Sequence, residues 1–149
     1  RDLCLALGAK AVVNHREEDW GQQVLVATSG KKVDRVIDVE FGANLPQILG
    51  CIAPNGVIAT YSSTQVKTPS LPFLDMMYMD LTLRMVIVYA MPESAKQAAI
   101  EAISIALEQE KLEHRVTHVV PLEKISKAHE LIEIGGFGGC VVVSMESSE

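Results

Sequence analysis

The sequence is poor in the features that mark several classes of protein. Its three cysteines, Cys4, Cys51 and Cys140, are far apart and form no Cys-x-x-Cys pair, which argues against a disulfide framework or a cysteine-rich zinc lobe and favours a reducing, cytoplasmic setting. The net charge is −6 without a block of basic residues, so we expect no nucleic-acid or acidic-membrane partner. No apolar run reaches about 18 residues, so no membrane span is expected.

A dinucleotide-binding fingerprint is also missing. The ten glycines never form G-x-G-x-x-G, and the nearest cluster, residues 135–139, follows a predicted helix and precedes a strand, the reverse of the required order. We interpret that cluster as a helix C-cap and turn. The chain has no initial Met and opens with "RDLCLALGAK", which is typical of the last turns of a helix that Gly8 ends. We therefore expect a piece of a longer protein.

What the sequence does contain is an alternation of apolar strands and amphipathic helices. Ile100, Ile103 and Leu107 give the clearest helical stripe. Strands are expected at residues 11–14, 32–39, 57–61, 81–89, 114–122 and 140–145, helices at 17–30, 43–56, 92–113 and 123–136, and a frayed tail at 146–149. Solidly apolar strands that alternate with helices predict an α/β fold with a parallel sheet covered on both faces.

Polar residues follow four of the predicted strands. Ligands bind at the carboxyl ends of the strands in open α/β sheets, where the following helices direct free N–H groups that favour anions. Gly42 would let a ligand approach the backbone closely or would simply turn the chain, and Asn44 is either a helix cap or a ligand contact. The strand-end residues are Asn14, His15, Arg16, Phe41, Gly42, Ala43, Asn44, Tyr61, Ser62, Ser63, Tyr89 and Ala90.

A metal site is not expected. His114 and His118 are four residues apart, which is the spacing of a zinc pair on a helix. Their segment "HRVTHVVPL" reads as a strand, however, and no third ligand is nearby.

Four segments carry a resemblance to a known family: "LGAKAVVNHREEDW", "VDRVIDVEFGANL", "IAPNGVIATYSS" and "PLEKISKAHELIEIG". They resemble the carboxyl-terminal half of zinc-free medium-chain dehydrogenase/reductases, of the NADPH:quinone oxidoreductase (zeta-crystallin) type. The resemblance implies a partial Rossmann domain in residues 1–113, a doubly wound parallel sheet lacking its first two strands. Residues 114–149 would then return to the catalytic domain.

The resemblance also implies which residues bind the cofactor, NADPH. His15 and Arg16 would lie near the adenosine 2′-phosphate, and other positions would follow the dinucleotide towards its nicotinamide. Relatives often carry glycine at Ser62 and a polar residue at Cys140, so these two positions depart from the family pattern. The remaining implied contacts are Phe41, Gly42 and Asn44 along the cofactor, Tyr61, Ser62 and Ser63 near the nicotinamide ribose, and Val88 and Tyr89 at the nicotinamide.

The implied activity is hydride transfer from NADPH to a quinone-like acceptor, with no side chain as catalytic residue. Two alternatives stay open: enoyl or alkenal reduction on the same fold, and a non-catalytic nucleotide-binding or interaction module. A homodimer is expected through residues 81–89, which begin at Leu81 and end at Tyr89. Only Arg84 is charged among these nine residues, and such an apolar edge strand needs cover.

Overall fold

The structure is a computed structural model that describes residues 1–145. The chain forms two compact units, Arg1–Met91 and a second unit that begins at Pro92. The division of the protein into domains at residues 113 and 114 stays a prediction.

The first unit is built on a three-stranded parallel sheet in the order β1-β2-β3. Ile58 at the centre of the sheet pairs with Val36 on one side and with Leu83 on the other. The strands are β1 (Val33–Asp38), β2 (Ile52–Thr60) and β3 (Thr82–Met85), and the helices are α1 (Asp2–Ala6), α2 (Trp20–Ala27), α3 (Phe41–Cys51) and α4 (Phe73–Tyr78).

The core of this unit lies where α3 packs on β2. Phe41, Leu45 and Ile48 are spaced so that one face of α3 carries all three, and each is buried. They pack with the buried Ile52 and Ile58 of β2. Burying a side chain of this size contributes about 1.5–3 kcal/mol, so this contact fixes the start of α3 against the end of the sheet.

Two predicted elements of the first unit differ from the structure: a strand at residues 11–14 and a helix at residues 43–56. Residues 11–14 form no strand, because no neighbour within residues 1–145 supplies the hydrogen-bond ladder that a strand requires. The helix predicted at 43–56 begins at Phe41 and ends at Cys51. The next residue, Ile52, already begins β2.

The strand predicted at residues 81–89 is also too long. β3 covers only Thr82–Met85, and Val88–Ala90 form a 3-10 turn. The Val86 N–H donates to the Thr60 carbonyl at 2.8 Å. Because β2 ends at Thr60, the residues after Val86 have no further β2 strand to pair with.

The second unit contains a parallel strand pair joined by a helix. Val120 of the first strand pairs with Val143 of the second, and Val120 and Ala128 are buried. Its elements are α5 (Glu93–Glu108), β4 (Val116–Pro121), α6 (Ile125–Ile134) and β5 (Cys140–Ser144). These confirm the predicted elements to within a few residues, and the predicted tail at 146–149 lies outside the described residues. Among the described helices none is long and apolar enough to span a membrane.

Candidate functional site

A cavity of about 1120 Å³ opens beside the carboxyl ends of β1 and β2. We call it the polar cavity, because charged and amide side chains form much of its wall. Its lining residues are His15, Arg16, Glu17, Glu18, Trp20, Ile37, Asp38, Val39, Glu40, Ala43, Asn44, Pro46, Gln47, Ser62, Thr64 and Gln65.

The structure brings four of the predicted site residues together in the polar cavity: His15, Arg16, Asn44 and Ser62. Ser62 also lines a smaller cavity of about 260 Å³. Phe41, Tyr61 and Ser63 line this smaller cavity, and Gly42 lines an apolar one of about 410 Å³. Val88 and Tyr89 lie in the exposed 3-10 turn and are not among the residues that line these three cavities.

Asp38, at the end of β1, is a buried carboxylate in the wall of the polar cavity. Its Oδ1 accepts a hydrogen bond from the Asn44 side-chain amide at 2.6 Å, and its buried Oδ2 has no partner within residues 1–145. Asn44 is therefore not a helix cap. A buried acceptor without a donor is costly, so this place fits a group that donates a hydrogen bond. A nicotinamide dinucleotide carries such donors in its ribose hydroxyls and its carboxamide.

Glu40, which precedes α3, fixes the loop that follows β2. Its Oε2 accepts hydrogen bonds from the Thr64 N–H at 3.0 Å and the Thr64 hydroxyl at 2.5 Å, and its Oε1 accepts from the Gln65 N–H at 2.9 Å. The hydroxyl bond from Thr64 is the main cause that lowers the pKa of Glu40, with burial opposing it and backbone N–H groups assisting. We call residues 62–66 the 62–66 loop.

The start of α3 packs directly against the 62–66 loop. The Phe41 N–H donates to the Ser62 carbonyl at 3.1 Å, and the Gly42 N–H donates to the Ser63 hydroxyl at 2.9 Å. A Cβ at Gly42 would lie 2.4 Å from the Val66 carbonyl oxygen. Glycine is therefore required by this loop contact, and the N–H groups of Phe41 and Gly42 are bonded to the loop and are not free for an anion.

Another part of the wall of the polar cavity, residues 15–18, is held by contacts with nearby residues and by Gln47 of α3, whose side-chain amide donates to the Glu18 carbonyl. The Asn14 side chain accepts from the Arg16 N–H at 3.2 Å, and Glu17 accepts from the amides of Asn14 and Gln23 at 3.3 and 2.5 Å. Glu17 is thus satisfied by neutral amides. Within residues 1–145 Arg16 takes part in no ion pair, which leaves its guanidinium able to bind an anion.

Within residues 1–145 His114 and His118 do not come together with a third possible zinc ligand. Across residues 1–145 no three His, Cys, Asp or Glu side chains lie close enough to hold a metal ion. His114 precedes β4, and the ring of His118 stacks edge-on against Phe137 with centroids 5.0 Å apart.

Residues 7–143 match the family model of the zinc-binding dehydrogenases. The chain belongs to this family. Together with the parallel sheet, the match identifies the first unit of this dehydrogenase-family chain as part of a Rossmann-like fold. Among curated proteins, none is significantly similar to it.

Solved structures support this fold. An NAD-dependent alcohol dehydrogenase is 29% identical with a TM-score of 0.75, over 97% of this chain and 40% of its own length. A quinone oxidoreductase of Pseudomonas syringae pv. tomato DC3000 is 21% identical with a TM-score of 0.70, over 93% and 44%. Mycobacterial Rv1454c complexed with NADPH is 22% identical with a TM-score of 0.72, over 95% and 46%. The chain thus spans less than half the length of these three relatives.

Several residues of the site were missed by sequence reasoning. The acidic residues Asp38 and Glu40 are visible in "VIDVEFG", but their partners are six and more than twenty residues away. Thr64 and Gln65 lie in a stretch that reads only as a polar loop. No local pattern connects a carboxylate to a loop beyond the next strand.

Proposed function

We propose that this chain supplies part of the nicotinamide-dinucleotide site of an oxidoreductase, which transfers hydride from NADPH to a quinone-like acceptor. The bound nicotinamide would supply the hydride. The residues of this chain would bind the dinucleotide, orient it and limit the access of water. No side chain of the chain is proposed to act as acid, base or nucleophile.

The observation that carries the proposal is the polar cavity beside the strand ends. It combines the Arg16 guanidinium, which takes part in no ion pair within residues 1–145, with the acceptors of Asp38 and Asn44. An anionic group and hydroxyl groups are complementary to these two sets of side chains. The smaller cavity, which shares Ser62 with the polar one, would take the nicotinamide end.

The preference for NADPH over NADH is the sharpest point of the proposal. His15 and Arg16 favour a 2′-phosphate, whereas Glu17 and Glu18 in the same cavity would repel it. The proposal takes Arg16 as decisive because the Glu17 carboxylate already accepts two amide hydrogen bonds. A preference for NADH would mean that the carboxylates outweigh the guanidinium.

Calorimetric titration of the full-length protein with NADPH and with NADH tests the cofactor. Arg16→Ala should weaken NADPH binding roughly tenfold and leave NADH binding nearly unchanged. Lys10→Ala, which removes a positive charge outside the cavity wall, is the matched control. If Arg16→Ala weakened the binding of NADPH and of NADH equally, a contact between Arg16 and the 2′-phosphate would be contradicted.

The acceptor is tested by following NADPH oxidation with a quinone, an enoyl thioester and an alkenal side by side. The proposal expects the quinone to have the highest kcat/KM. A higher value for either alkene acceptor would favour the enoyl or alkenal reductase alternative on the same fold. Cofactor binding without turnover of any acceptor would favour a non-catalytic nucleotide-binding module.

A homodimer through residues 81–89 is also proposed. β3 is an edge strand, and Met85, Ile87 and Val88 near its end are exposed apolar side chains. Since Val86 donates inward to Thr60, strand alternation directs the Met85 N–H to the open edge.

Met85→Glu should produce monomers by light scattering, with Glu108→Gln in α5 as control. If the unaltered protein is monomeric by light scattering at a concentration of roughly tens of micromolar, at which an obligate dimer should persist, the dimer is excluded.

A further inference from the structure

We propose that Glu40 is a positioning residue for the cofactor: it holds the 62–66 loop in the conformation that forms one wall of the polar cavity. This inference rests on the proposed function. Glu40 would raise the affinity for the dinucleotide by holding Thr64 and Gln65 in place, without contacting the dinucleotide itself.

Both carboxylate oxygens of Glu40 accept hydrogen bonds from the tip of the loop, namely from the N–H and hydroxyl of Thr64 and from the N–H of Gln65. Thr64 and Gln65 line the polar cavity, and so does Ser62 at the start of the same loop. Fixing these two residues therefore fixes the shape of this wall.

The rest of the loop is held by contacts of its own. The Ser63 hydroxyl accepts from the Gly42 N–H and donates to the Val66 carbonyl at 2.6 Å. The space beside Gly42 is filled by Val66 and Ser63. One further side chain from outside the loop reaches its first residue, because the Thr60 hydroxyl donates to the Ser62 carbonyl at 3.3 Å. The tip, Thr64 and Gln65, is held by the side chain of Glu40.

A dinucleotide is an anion, so a carboxylate in its cavity should by itself weaken binding. The other charged or titratable groups of this wall and its surroundings are His15, Arg16, Glu17, Glu18 and Asp38 in the polar cavity and Lys67 after the loop. The pKa of Glu40 is lowered by hydrogen bonds from residues 64–66 and not by any of these charged groups. Glu40 is thus directed to the loop rather than to a cation.

The two possible roles of Glu40 therefore predict opposite changes in cofactor affinity when the carboxylate is removed. Loss of a repelling charge would tighten binding, whereas loss of the contact with the loop would weaken it. Glu40→Gln replaces one acceptor oxygen by an NH2 group that faces an N–H donor. If Glu40 positions the loop, Glu40→Gln should weaken binding of both NADPH and NADH roughly fivefold, although a negative charge has been removed. The matched control is Glu18→Gln, which removes the same charge from the same cavity without touching the hydrogen bonds of the loop. Because the Glu18 charge repels an anion, this variant should bind both cofactors more tightly.

A second pair of variants keeps the test valid if Glu40→Gln fails to fold. Thr64→Val removes only the hydroxyl that donates to Glu40, and Thr64→Ser restores it. Thr64→Val should weaken binding of both cofactors roughly threefold, and Thr64→Ser should bind as the unaltered protein does. Circular dichroism would verify that each variant is folded before titration.

The outcomes separate the two proposals. If the unaltered full-length protein binds neither NADPH nor NADH, the proposed function fails and this inference fails with it. If it binds a cofactor but folded Glu40→Gln binds as tightly or more tightly, only the role of Glu40 is overturned. Equal weakening by Thr64→Val and Thr64→Ser would overturn it as well, because then the hydroxyl bond has no effect on affinity.

Discussion

Helices α3 and α5 both carry an apolar stripe, but only α3 buries it. Phe41, Leu45 and Ile48 of α3 are 3% exposed or less, whereas Ile100 and Ile103 of α5 are more than half exposed. Both sequences predict a helix, since both place apolar residues on one face. The difference teaches that periodicity tells which face of a helix can pack, while the partner surface decides how much that face contributes to stability.

The starts of the two helices differ in the same way. Glu40 before α3 bonds to Thr64 and Gln65, which lie beyond the following strand. Glu93 at the start of α5 pairs with Lys96 one turn away, at 3.3 Å, on an exposed surface. One carboxylate therefore joins distant segments, and the other acts only within its own helix.

The largest expected effect comes from shortening one isoleucine in each helix. Ile48→Ala in α3 should lower the free energy of unfolding by about 2–5 kcal/mol, because the side chain is fully buried and leaves a cavity. Ile103→Ala in α5 should change it by less than about 1 kcal/mol. Urea denaturation of both variants gives the two values. Similar losses would show that the stripe of α5 is buried in the protein after all.

A smaller effect is expected from two glycines within α3. Gly42→Ala would place a Cβ 2.4 Å from the Val66 carbonyl oxygen, and the backbone shift this forces should cost about 1–3 kcal/mol. Gly50→Ala meets nothing within 4 Å and should stabilise the helix by up to about 1 kcal/mol. Thermal unfolding of the pair measures both. The same sign for both variants would argue against a tight loop contact at Gly42.

The link between Glu40 and the loop should respond to pH. The pKa of Glu40 is lowered in the folded state, so the stabilising contribution is present above its ordinary value, near 4.5, and is lost as pH falls through the lowered folded value. Hydrogen exchange at the Thr64 and Gln65 amides, corrected for intrinsic rates, should therefore lose protection only below about pH 4.5. Loss of protection near neutral pH would mean that another group holds the loop.

The smallest effect is expected at the start of α5. Glu93→Gln removes an exposed ion pair between neighbouring turns, which should change stability by less than about 0.5 kcal/mol. Denaturation at low and at high salt checks this value. A loss that persists at high salt would indicate that Glu93 has a partner besides Lys96.

Most helices and the apolar strands could be predicted from sequence because their signals are local. Ile100, Ile103 and Leu107 identify α5, and the run at Val33–Asp38 identifies β1. The strand predicted at residues 11–14 failed because a strand depends on a neighbour that local composition cannot supply. β3 ends early for a related reason, since its length is set by where β2 stops.

The candidate site was predictable only in part. The rule that ligands bind beside strand ends led to His15, Arg16, Asn44 and Ser62, which line one cavity. The same rule left Gly42 as either a place of close ligand approach or a turn of the chain, and the space beside it is taken by Val66 and Ser63. Asp38 and Glu40 were missed as functional groups because each acts through contacts made after the chain has folded back.

The separation between Glu40 and Thr64 along the chain has a kinetic consequence. Their hydrogen bond joins positions 24 residues apart and spans the whole of β2. Closing such a loop costs chain entropy, and β2, which lies between the two residues, pairs with β1. We expect the contact to form late in folding, after this pairing. Thr64→Val should then leave the folding rate of the protein unchanged and speed its unfolding, which stopped-flow folding and unfolding measurements would show.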